Sequence, residues 1–231
     1  MKVAYKHLIQ NIADKPNISD LSQKLFQLGH EHEINEEIFD LDLTPNRGDC
    51  LSVKGLLRDL KLFYDVKVDN NIYENKINNL KIDFTNNVET FCPNISFLKV
   101  EIDKIPEIYS DQLEFFFNSL DIKKNNFFTD ISNYIAYETG QPTHCYDAST
   151  IRNKIILDSL DSKQSFETLT KKIITLDKGE MAFFNDAREI INLPGVMGGK
   201  NTACKKETTS VLIECAYFNP EMILGKTLKY S

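Results

Sequence analysis

The spacing of apolar residues changes along this chain of 231 residues, and that change constrains the fold more than any other feature. In the first part of the chain, apolar residues recur every three or four positions, which is the period of a helix with one buried face. Later, short stretches alternate between apolar and polar residues, as in half-buried strands. Residues 66–79 are rich in Asn and charge and have no period. We therefore predict an α+β fold with a small helical N-terminal domain at 1–66, a linker at 67–79 and a larger strand-rich mixed α/β domain at 80–231.

Local signals place the individual elements. A first helix is predicted near residues 5–12, and a second begins at the N-terminal cap Ser19 and ends at Gly29. A third follows the turn at 46–49, and a fourth follows Ser110. Short strands are predicted at 80–84, 95–102, 154–157, 172–176, 188–193 and 210–214.

Composition excludes several classes of protein. Hydrophobic residues make up 42% of the chain and charged residues 26%, as in soluble globular proteins. No apolar run approaches the ~20 residues that span a bilayer, and the N-terminus has no secretory signal, so we expect a cytoplasmic protein with no membrane partner. The net charge of −7 argues against a general nucleic-acid binder, so any contact with nucleic acid has to be local.

The sequence predicts no metal site. The five cysteines are widely spaced and form no Cys-x-x-Cys pair, which argues against a zinc ribbon and a thioredoxin-like site. Buried free thiols in a reducing compartment are the simpler interpretation. His30 and His32 have the spacing of a metal clip, but no third ligand is evident, and an exposed strand after Gly29 is expected there.

The first of four notable stretches is LTPNRGDCLS at 43–52. Proline followed by Asn, Gly and Asp sets a turn into the third helix. Arg47 can pair with Asp49 or with a neighbouring domain. We predict a structural turn and helix cap here rather than a site.

The second stretch runs from DISNY at 130–134 to GQPTHCYD at 140–147. His144 follows a proline turn, which places it at the end of an element, where a ring nitrogen can reach a cleft. Ser132 and Asn133 offer a hydroxyl and an amide. A single histidine is more often structural, so both roles stay open on the residues alone. Cys145 is not expected to pair with His144, because adjacent residues generally point apart.

The third stretch is LPGVMGGKN at 193–201. Gly195, Gly198 and Gly199 let the backbone approach a ligand closely and present its N–H groups. A Walker A phosphate loop is excluded, because Pro194 holds the place of its first glycine and Asn201 that of its hydroxyl residue. A glycine-rich hairpin of purely structural use stays open.

The fourth stretch is SVLIECAYF at 210–218. Glu214 lies inside an apolar run with strong strand propensity, and carboxylates are rarely buried without a partner. It therefore faces solvent or a cleft, or it has a functional role. The run continues through Phe218, which weakens the interpretation of Glu214 as an exposed strand edge.

Together these stretches, in this order and spacing, resemble the beta subunit of phenylalanyl-tRNA synthetase. That family carries TPNR-x-D-C-x-S, then D-[IV]-T-N-Y…G-Q-P-x-H-x-F-D, then A-G-V-M-G-G, and then L-E-x-A-x-F. The resemblance covers nearly the whole chain and implies an editing region that hydrolyses misacylated Tyr-tRNA(Phe). The implied editing pocket comprises Ser132, Asn133, His144, Gly195, Gly198 and Glu214.

The resemblance also implies a role for each pocket residue. The acid at Glu214 recognises the tyrosine hydroxyl, and Gly195 and Gly198 contact the substrate through the backbone. His144 lies near the scissile ester and helps to position substrate and water. The catalytic part of the pocket comprises His144, Ser132 and Asn133.

The resemblance implies partners but no cofactor for this chain. ATP and magnesium are expected only for the complete synthetase. The implied partners are the acceptor end of tRNA(Phe) and the synthetase alpha subunit.

The chain departs from the family pattern at several positions. Ser132 stands where Thr is usual, Pro194 where Ala is usual and Tyr146 where Phe is usual. The oligonucleotide-binding insert that the family often has between Gly29 and Thr44 is reduced to a short connection. Because the family continues past the end of this sequence, we expect an excised piece of a longer chain or a truncated gene.

Two alternatives to editing stay open. The first is a non-catalytic scaffold or tRNA-positioning part of the beta subunit whose editing site has decayed. The second is a free-standing hydrolase of another aminoacyl ester, which requires that the native gene end here. Retention of His144, Asn133 and Glu214 favours the editing enzyme.

Overall fold

The computed structural model describes residues 1–67 and 77–230, so most of the linker predicted at 67–79 lies outside the described residues. Within the described ranges there are seven α-helices: α1 (Tyr5–Ile9), α2 (Ile18–Gln27), α3 (Val53–Leu60), α4 (Asp111–Ser119), α5 (Phe127–Thr139), α6 (Pro220–Ile223) and α7 (Lys226–Tyr230). The same ranges contain thirteen strands: β1 (Lys2–Ala4), β2 (Glu31–Asn35), β3 (Ile38–Asp42), β4 (Asp83–Asn86), β5 (Asn94–Glu101), β6 (His144–Asp147), β7 (Lys154–Ser159), β8 (Gln164–Glu167), β9 (Ile173–Leu176), β10 (Met181–Asn185), β11 (Ile190–Leu193), β12 (Met197–Gly198) and β13 (Ser210–Tyr217). The predicted α+β class is confirmed. No helix in this part of the chain is long and apolar enough to cross a membrane.

The chain divides into two units. Unit 1 comprises Met1–Lys76, Glu107–Asn125 and Asp130–Pro142, and unit 2 comprises Ile77–Pro106, Asn126–Thr129 and Thr143–Ser231. The second and third segments of unit 1 lie in the part of the sequence that we assigned to the strand-rich domain. The predicted domain boundaries stay a prediction.

Unit 1 combines the predicted helices with a three-stranded antiparallel sheet in the order β1–β3–β2. Phe39 and Leu41 of β3 are buried and alternate with exposed residues. This alternation, with a period of two residues, directs one face of the strand toward the core. Gly29 ends α2 with a φ of 82°, a conformation that glycine adopts readily. β2 is the exposed strand expected after it, whereas the sequence analysis did not assign β1 or β3.

α4 and the C-terminal part of α5 add an aromatic cluster to unit 1. Phe116 and Phe117 of α4 are buried and pack against Tyr134 and Tyr137 of α5. The ring centroids of Phe116 and Tyr134 lie 5.3 Å apart in an edge-on arrangement. Such pairs add about 0.5–1.5 kcal/mol to the stabilisation from area burial. These contacts explain why both helical segments belong to unit 1.

Side-chain caps set the start of two helices. Asn17 Oδ1 accepts a hydrogen bond from the backbone N–H of Asp20 at 2.9 Å and begins α2. The cap predicted at Ser19 is therefore wrong, because Ser19 already lies within the first helical turn while Asn17 keeps the extended backbone that a cap needs. Ser52 Oγ accepts from the N–H of Gly55 at 3.0 Å and begins α3.

Unit 2 contains three sheets. The largest has five strands in the order β12–β11–β10–β7–β4, the second has the order β5–β13–β6, and β8 pairs with β9. The strands predicted beyond residue 90 are confirmed as β5, β7, β9, β11 and β13. The stretch predicted at 80–84 is a strand only from Asp83 onward.

One buried cluster joins the two larger sheets of unit 2. It contains Tyr146 and Leu212 from the three-stranded sheet and Leu157, Phe183 and Ile191 from the five-stranded sheet. Burial of each such apolar side chain contributes about 1.5–3 kcal/mol. Tyr146 differs from the others because it carries a hydroxyl into this core.

Candidate functional site

The pairing of β6 with β13 brings two of the predicted site residues together. The strands are antiparallel, and His144 is the direct cross-strand partner of Glu214. Side chains of directly opposite residues project from the same face of a sheet. The fold therefore places an imidazole beside a carboxylate that is distant from it in sequence.

Glu214 has two polar partners in the core. The hydroxyl of Tyr146 donates a hydrogen bond to Glu214 Oε2 at 2.5 Å, and Asn192 Nδ2 lies 3.4 Å from the same oxygen. Asn192 Nδ2 also donates to the Tyr146 hydroxyl at 2.8 Å. The exposed fractions are 4% for Glu214, 3% for Asn192 and 0% for Tyr146. A buried carboxylate is costly unless it is hydrogen-bonded, and these contacts meet that requirement.

Burial shifts the pKa values of Glu214 and His144 in opposite directions. It raises the pKa of Glu214 to about 7, against the smaller lowering effect of the hydrogen bonds from Tyr146 and Asn192. It lowers the pKa of His144 to about 4. In both cases loss of hydration disfavours the charged form. At neutral pH the imidazole is therefore uncharged, and Glu214 is near its titration midpoint.

Gly198 lies directly against the imidazole. A Cβ atom at this position would stand 2.5 Å from Cε1 of His144 and 2.9 Å from Cδ1 of Leu169, so only glycine fits without a shift. Gly198 is held there because it pairs with Asn192 in the five-stranded sheet. Nε2 of His144 is buried and has no hydrogen-bond partner among the described residues. This nitrogen is therefore a hydrogen-bonding group that no described residue satisfies.

The other predicted residues have different surroundings. Gly195 lies in the turn after β11 with a φ of 67°, and a Cβ there would meet Phe218 and Ile223 rather than His144. Ser132 and Asn133 lie on α5 within unit 1, and Asn133 is exposed. The described contacts bring together His144, Gly198 and Glu214.

The sequence analysis missed two residues of this site. Tyr146 was noted only as a departure from the family pattern, and Asn192 was not noted. Alternation along β6 could have placed Tyr146 on the face of His144. A single amide within the apolar run of β11 is the corresponding signal for Asn192.

The turn at Pro45–Cys50 is structural, as predicted. It forms a 3₁₀ helix that leads to α3. Arg47 Nε donates to Asp49 Oδ1 at 3.1 Å, and the guanidinium also pairs with Asp59 of α3. These ion pairs hold the turn against the helix that follows it.

Three potential metal ligands meet beside this turn. One donor atom each from His30, Cys50 and Asp59 lies within 4.8 Å of the others. However, the guanidinium of Arg47 contacts both Cys50 and Asp59 and already balances the carboxylate. His32, the second residue of the metal clip considered above, bonds a side chain of α2 instead. The cluster is better explained as a charge network than as a metal centre.

The five cysteines are free thiols, as predicted, but only Cys50 and Cys92 are buried. Cys145 Sγ lies 3.7 Å from the carbonyl oxygen of Phe128, so it does not form the thiol–imidazole pair that sequence adjacency with His144 invites. Burial raises the pKa of Cys204 to about 12, which keeps that thiol protonated and unreactive.

Comparisons with known proteins agree with this architecture. Residues 110–231 match the B3/4 domain family. The phenylalanine–tRNA ligase beta subunit of Psychrobacter arcticus is 30% identical over 206 residues, which cover 85% of this chain and 25% of that protein. The beta subunit of Bdellovibrio bacteriovorus is 34% identical over 190 residues, which cover 79% of this chain and 23% of that protein. The chain thus spans about a quarter of the length of these curated relatives.

A solved structure shows the same fold. It is an N-terminal fragment of the phenylalanyl-tRNA synthetase beta subunit from Pyrococcus horikoshii, with a TM-score of 0.52 and 18% identity. The match covers 96% of this chain and 69% of that one. The chain therefore belongs to the B3/4 domain family, and the resemblance of its four motifs to the phenylalanyl-tRNA synthetase beta subunit is confirmed.

Proposed function

We propose that this chain is the editing region of a phenylalanyl-tRNA synthetase beta subunit and that it hydrolyses tyrosine wrongly esterified to tRNA(Phe). The observation that carries the proposal is the pairing of His144 with Glu214 on one sheet face, with Gly198 packed against the imidazole. A buried carboxylate, an imidazole nitrogen without a described partner and a backbone position free of a side chain are the parts that such a pocket needs. Membership of the B3/4 family supports the same assignment.

Glu214 is the residue proposed to recognise the tyrosine hydroxyl. A hydrophobic pocket rejects a substrate that merely adds a hydroxyl by only ~100-fold, so a phenylalanine site sometimes accepts tyrosine. A second site that hydrogen-bonds this hydroxyl can refuse the analogue lacking it by ~10⁴–10⁵-fold. The reason is that a buried acceptor would otherwise stay unpaired.

The proposed hydrolysis needs little covalent machinery. The aminoacyl ester is already activated, so a positioned water and the adjacent ribose hydroxyl are sufficient. His144 is proposed to orient substrate or water through Nε2, because its pKa of about 4 makes it a weak general base at neutral pH. Ser132, Asn133 and Gly195 are proposed as further pocket residues on the resemblance alone.

The proposed setting is the cytoplasm, with two partners. The acceptor end of tRNA(Phe) brings the ester to the site, and the alpha subunit completes the synthetase. We propose that this chain uses no cofactor of its own, and that ATP and magnesium serve only aminoacylation by the complete enzyme.

One observation favours a second candidate function. Tyr146 already donates a hydrogen bond to the oxygen of Glu214 that would accept a substrate hydroxyl. A non-catalytic scaffold, which positions tRNA without editing it, is the function that this contact supports.

Deacylation assays with Tyr-tRNA(Phe) and Phe-tRNA(Phe) separate the two functions. Editing predicts faster release of tyrosine than of phenylalanine, and a loss of at least about tenfold in His144→Asn, because positioning groups typically contribute this much or more. His32→Asn is the matched control, since His32 lies in unit 1 and is expected to leave the rate unchanged. Equal rates on the two esters would contradict editing. A rate no higher than that of spontaneous hydrolysis, both for this chain and for a longer protein that contains it, would also contradict editing.

A further inference from the structure

We infer that Tyr146 is a specificity-determining residue of this site, because its own phenol already donates a hydrogen bond to the carboxyl group that a substrate phenol would bond. The inference rests on the proposed function and deepens it. It states that the preference for tyrosyl over phenylalanyl esters is limited by competition between an internal and an external hydroxyl for Glu214.

The local geometry fixes this competition. His144 and Tyr146 are two positions apart on β6 and share one face, on which Glu214 is the cross-strand partner of His144. The Tyr146 ring stands edge-on to the imidazole with centroids 4.4 Å apart. Its hydroxyl lies 2.5 Å from Glu214 Oε2 and is fully buried. The phenol of Tyr146 therefore contacts the imidazole of His144 and the carboxyl group of Glu214 at the same time.

Asn192 completes the hydrogen-bond network that links Tyr146 and Glu214. Its Nδ2 donates to the Tyr146 hydroxyl oxygen at 2.8 Å and lies 3.4 Å from Glu214 Oε2. The hydroxyl of Tyr146 thus both donates and accepts, and Glu214 receives donors from two elements. An external phenol that bonds Oε2 has to break this set and leave buried polar groups unpaired, which is unfavourable.

This competition affects how well the site distinguishes the two esters. A tyrosyl ester and a phenylalanyl ester differ only in the para-hydroxyl. While Tyr146 holds Oε2, this hydroxyl gains less from Glu214 than it would from a carboxylate without an internal donor, so the two esters are less sharply distinguished than in a site that lacks the Tyr146 hydroxyl. If the internal hydroxyl is removed, Glu214 Oε2 loses its closer donor and keeps only Asn192, so a substrate phenol gains more from it.

Tyr146→Phe is the test, since it removes one oxygen and keeps the ring in the core. We expect the ratio of affinities for free L-tyrosine over L-phenylalanine, measured by calorimetry on the 231-residue protein, to rise by on the order of 10-fold, which corresponds to one net hydrogen bond. Adding Glu214→Gln to Tyr146→Phe is expected to cancel most of this gain. The matched control is Tyr230→Phe, which removes a tyrosine–carboxylate bond to Glu180 elsewhere in unit 2.

A second measurement tests the contact itself. The hydrogen bond from Tyr146 lowers the pKa of Glu214, so removing the hydroxyl is expected to raise that pKa, which carboxyl-carbon NMR can follow. Tyr230→Phe is expected to leave it unchanged. A merely structural role of Tyr146 would alter stability and the titration of Glu214 without changing the ligand preference.

The outcomes distinguish this inference from the proposed function. An amino-acid preference that stays within twofold of the parent in Tyr146→Phe, including binding of neither ligand, overturns the inference. If the preference rises but neither ester is hydrolysed by any variant, the inference holds and the editing function fails. If tyrosyl ester is hydrolysed selectively by the parent and equally well by Tyr146→Phe, editing holds and the inference fails.

Discussion

Glu214 and His144 are direct partners across two antiparallel strands, and burial drives both toward their neutral forms. The carboxyl has a pKa raised to about 7 and the imidazole a pKa lowered to about 4. Between these values the pair is largely uncharged, although a carboxyl and an imidazole in water would both carry charge over much of that range. The pair is therefore suited to hydrogen bonding rather than to an ion pair.

The first prediction follows from the raised pKa of Glu214. Because the folded protein favours the neutral carboxyl, this contribution to stability is fully present below the ordinary pKa of 4.5 and is lost as the pH rises through about 7. We expect the free energy of unfolding of the parent to fall across this window relative to that of Glu214→Gln, by at most about 3 kcal/mol. Urea denaturation of both proteins at pH 5 and pH 8 measures the difference. Parallel pH profiles would show that Glu214 does not titrate in this range.

A second prediction distinguishes two replacements of Glu214. Alanine removes the acceptor for both Tyr146 and Asn192, so we expect Glu214→Ala to destabilise the fold by about 2–5 kcal/mol. Glutamine keeps one acceptor oxygen and similar volume, and is expected to cost about 1 kcal/mol at neutral pH. Thermal or chemical denaturation measures both values. Equal losses in the two variants would mean that the amide oxygen of glutamine does not replace the carboxyl acceptor, and would contradict this prediction.

Gly198 provides a third prediction. A Cβ there would stand 2.5 Å from the imidazole of His144, and that ring is confined by its edge-on contact with Tyr146. We expect Gly198→Ala to destabilise the protein by about 1–3 kcal/mol and to shift the NMR signals of His144. Gly48→Ala is the control, because a Cβ there meets nothing within 4 Å. If both variants behave like the parent, the close packing of Gly198 is not a feature of the protein in solution.

The start of α2 provides a fourth prediction. Asn17 makes the capping hydrogen bond and Ser19 does not. Asn17→Ala is therefore expected to cost about 1 kcal/mol of unfolding free energy, whereas Ser19→Ala is expected to stay within about 0.5 kcal/mol of the parent. Chemical denaturation of the two variants under the same conditions measures both losses of unfolding free energy. A larger loss in Ser19→Ala would restore the cap that the sequence analysis favoured.

A fifth prediction concerns affinity for tRNA. The net charge is −7, and basic pairs such as Lys171-Lys172 and Lys205-Lys206 are small and scattered. Tight electrostatic binding of nucleic acid needs clustered Lys and Arg. We expect the isolated chain to bind tRNA with a Kd above about 1 μM at physiological salt, within the range of non-specific contacts. A fluorescence titration measures this constant, and a submicromolar value would reveal a basic surface that the fold assembles.

Local signals in the sequence were sufficient for much of the fold. The helical period before residue 66, the turn at 43–52 and the short alternating runs predicted α3, β5, β7 and β13 close to their observed bounds. The cap of α2 was assigned to the wrong residue, because Asn17 and Ser19 have nearly equal capping preference and only the backbone shows which one is extended. β1 and β3 were missed, since short strands carry little periodic signal until they pair.

The sequence by itself determined the family and marked six candidate residues, because four motifs in a fixed order single out His144, Gly198 and Glu214 among them without any knowledge of their contacts. Only the tertiary structure decided what Glu214 touches. The register of β6 on β13 and the packing of β11 across the core bring Tyr146 and Asn192 to its carboxylate. No local pattern specifies such contacts, because the hydrogen bonds join residues on separate strands that meet only when the two sheets pack together.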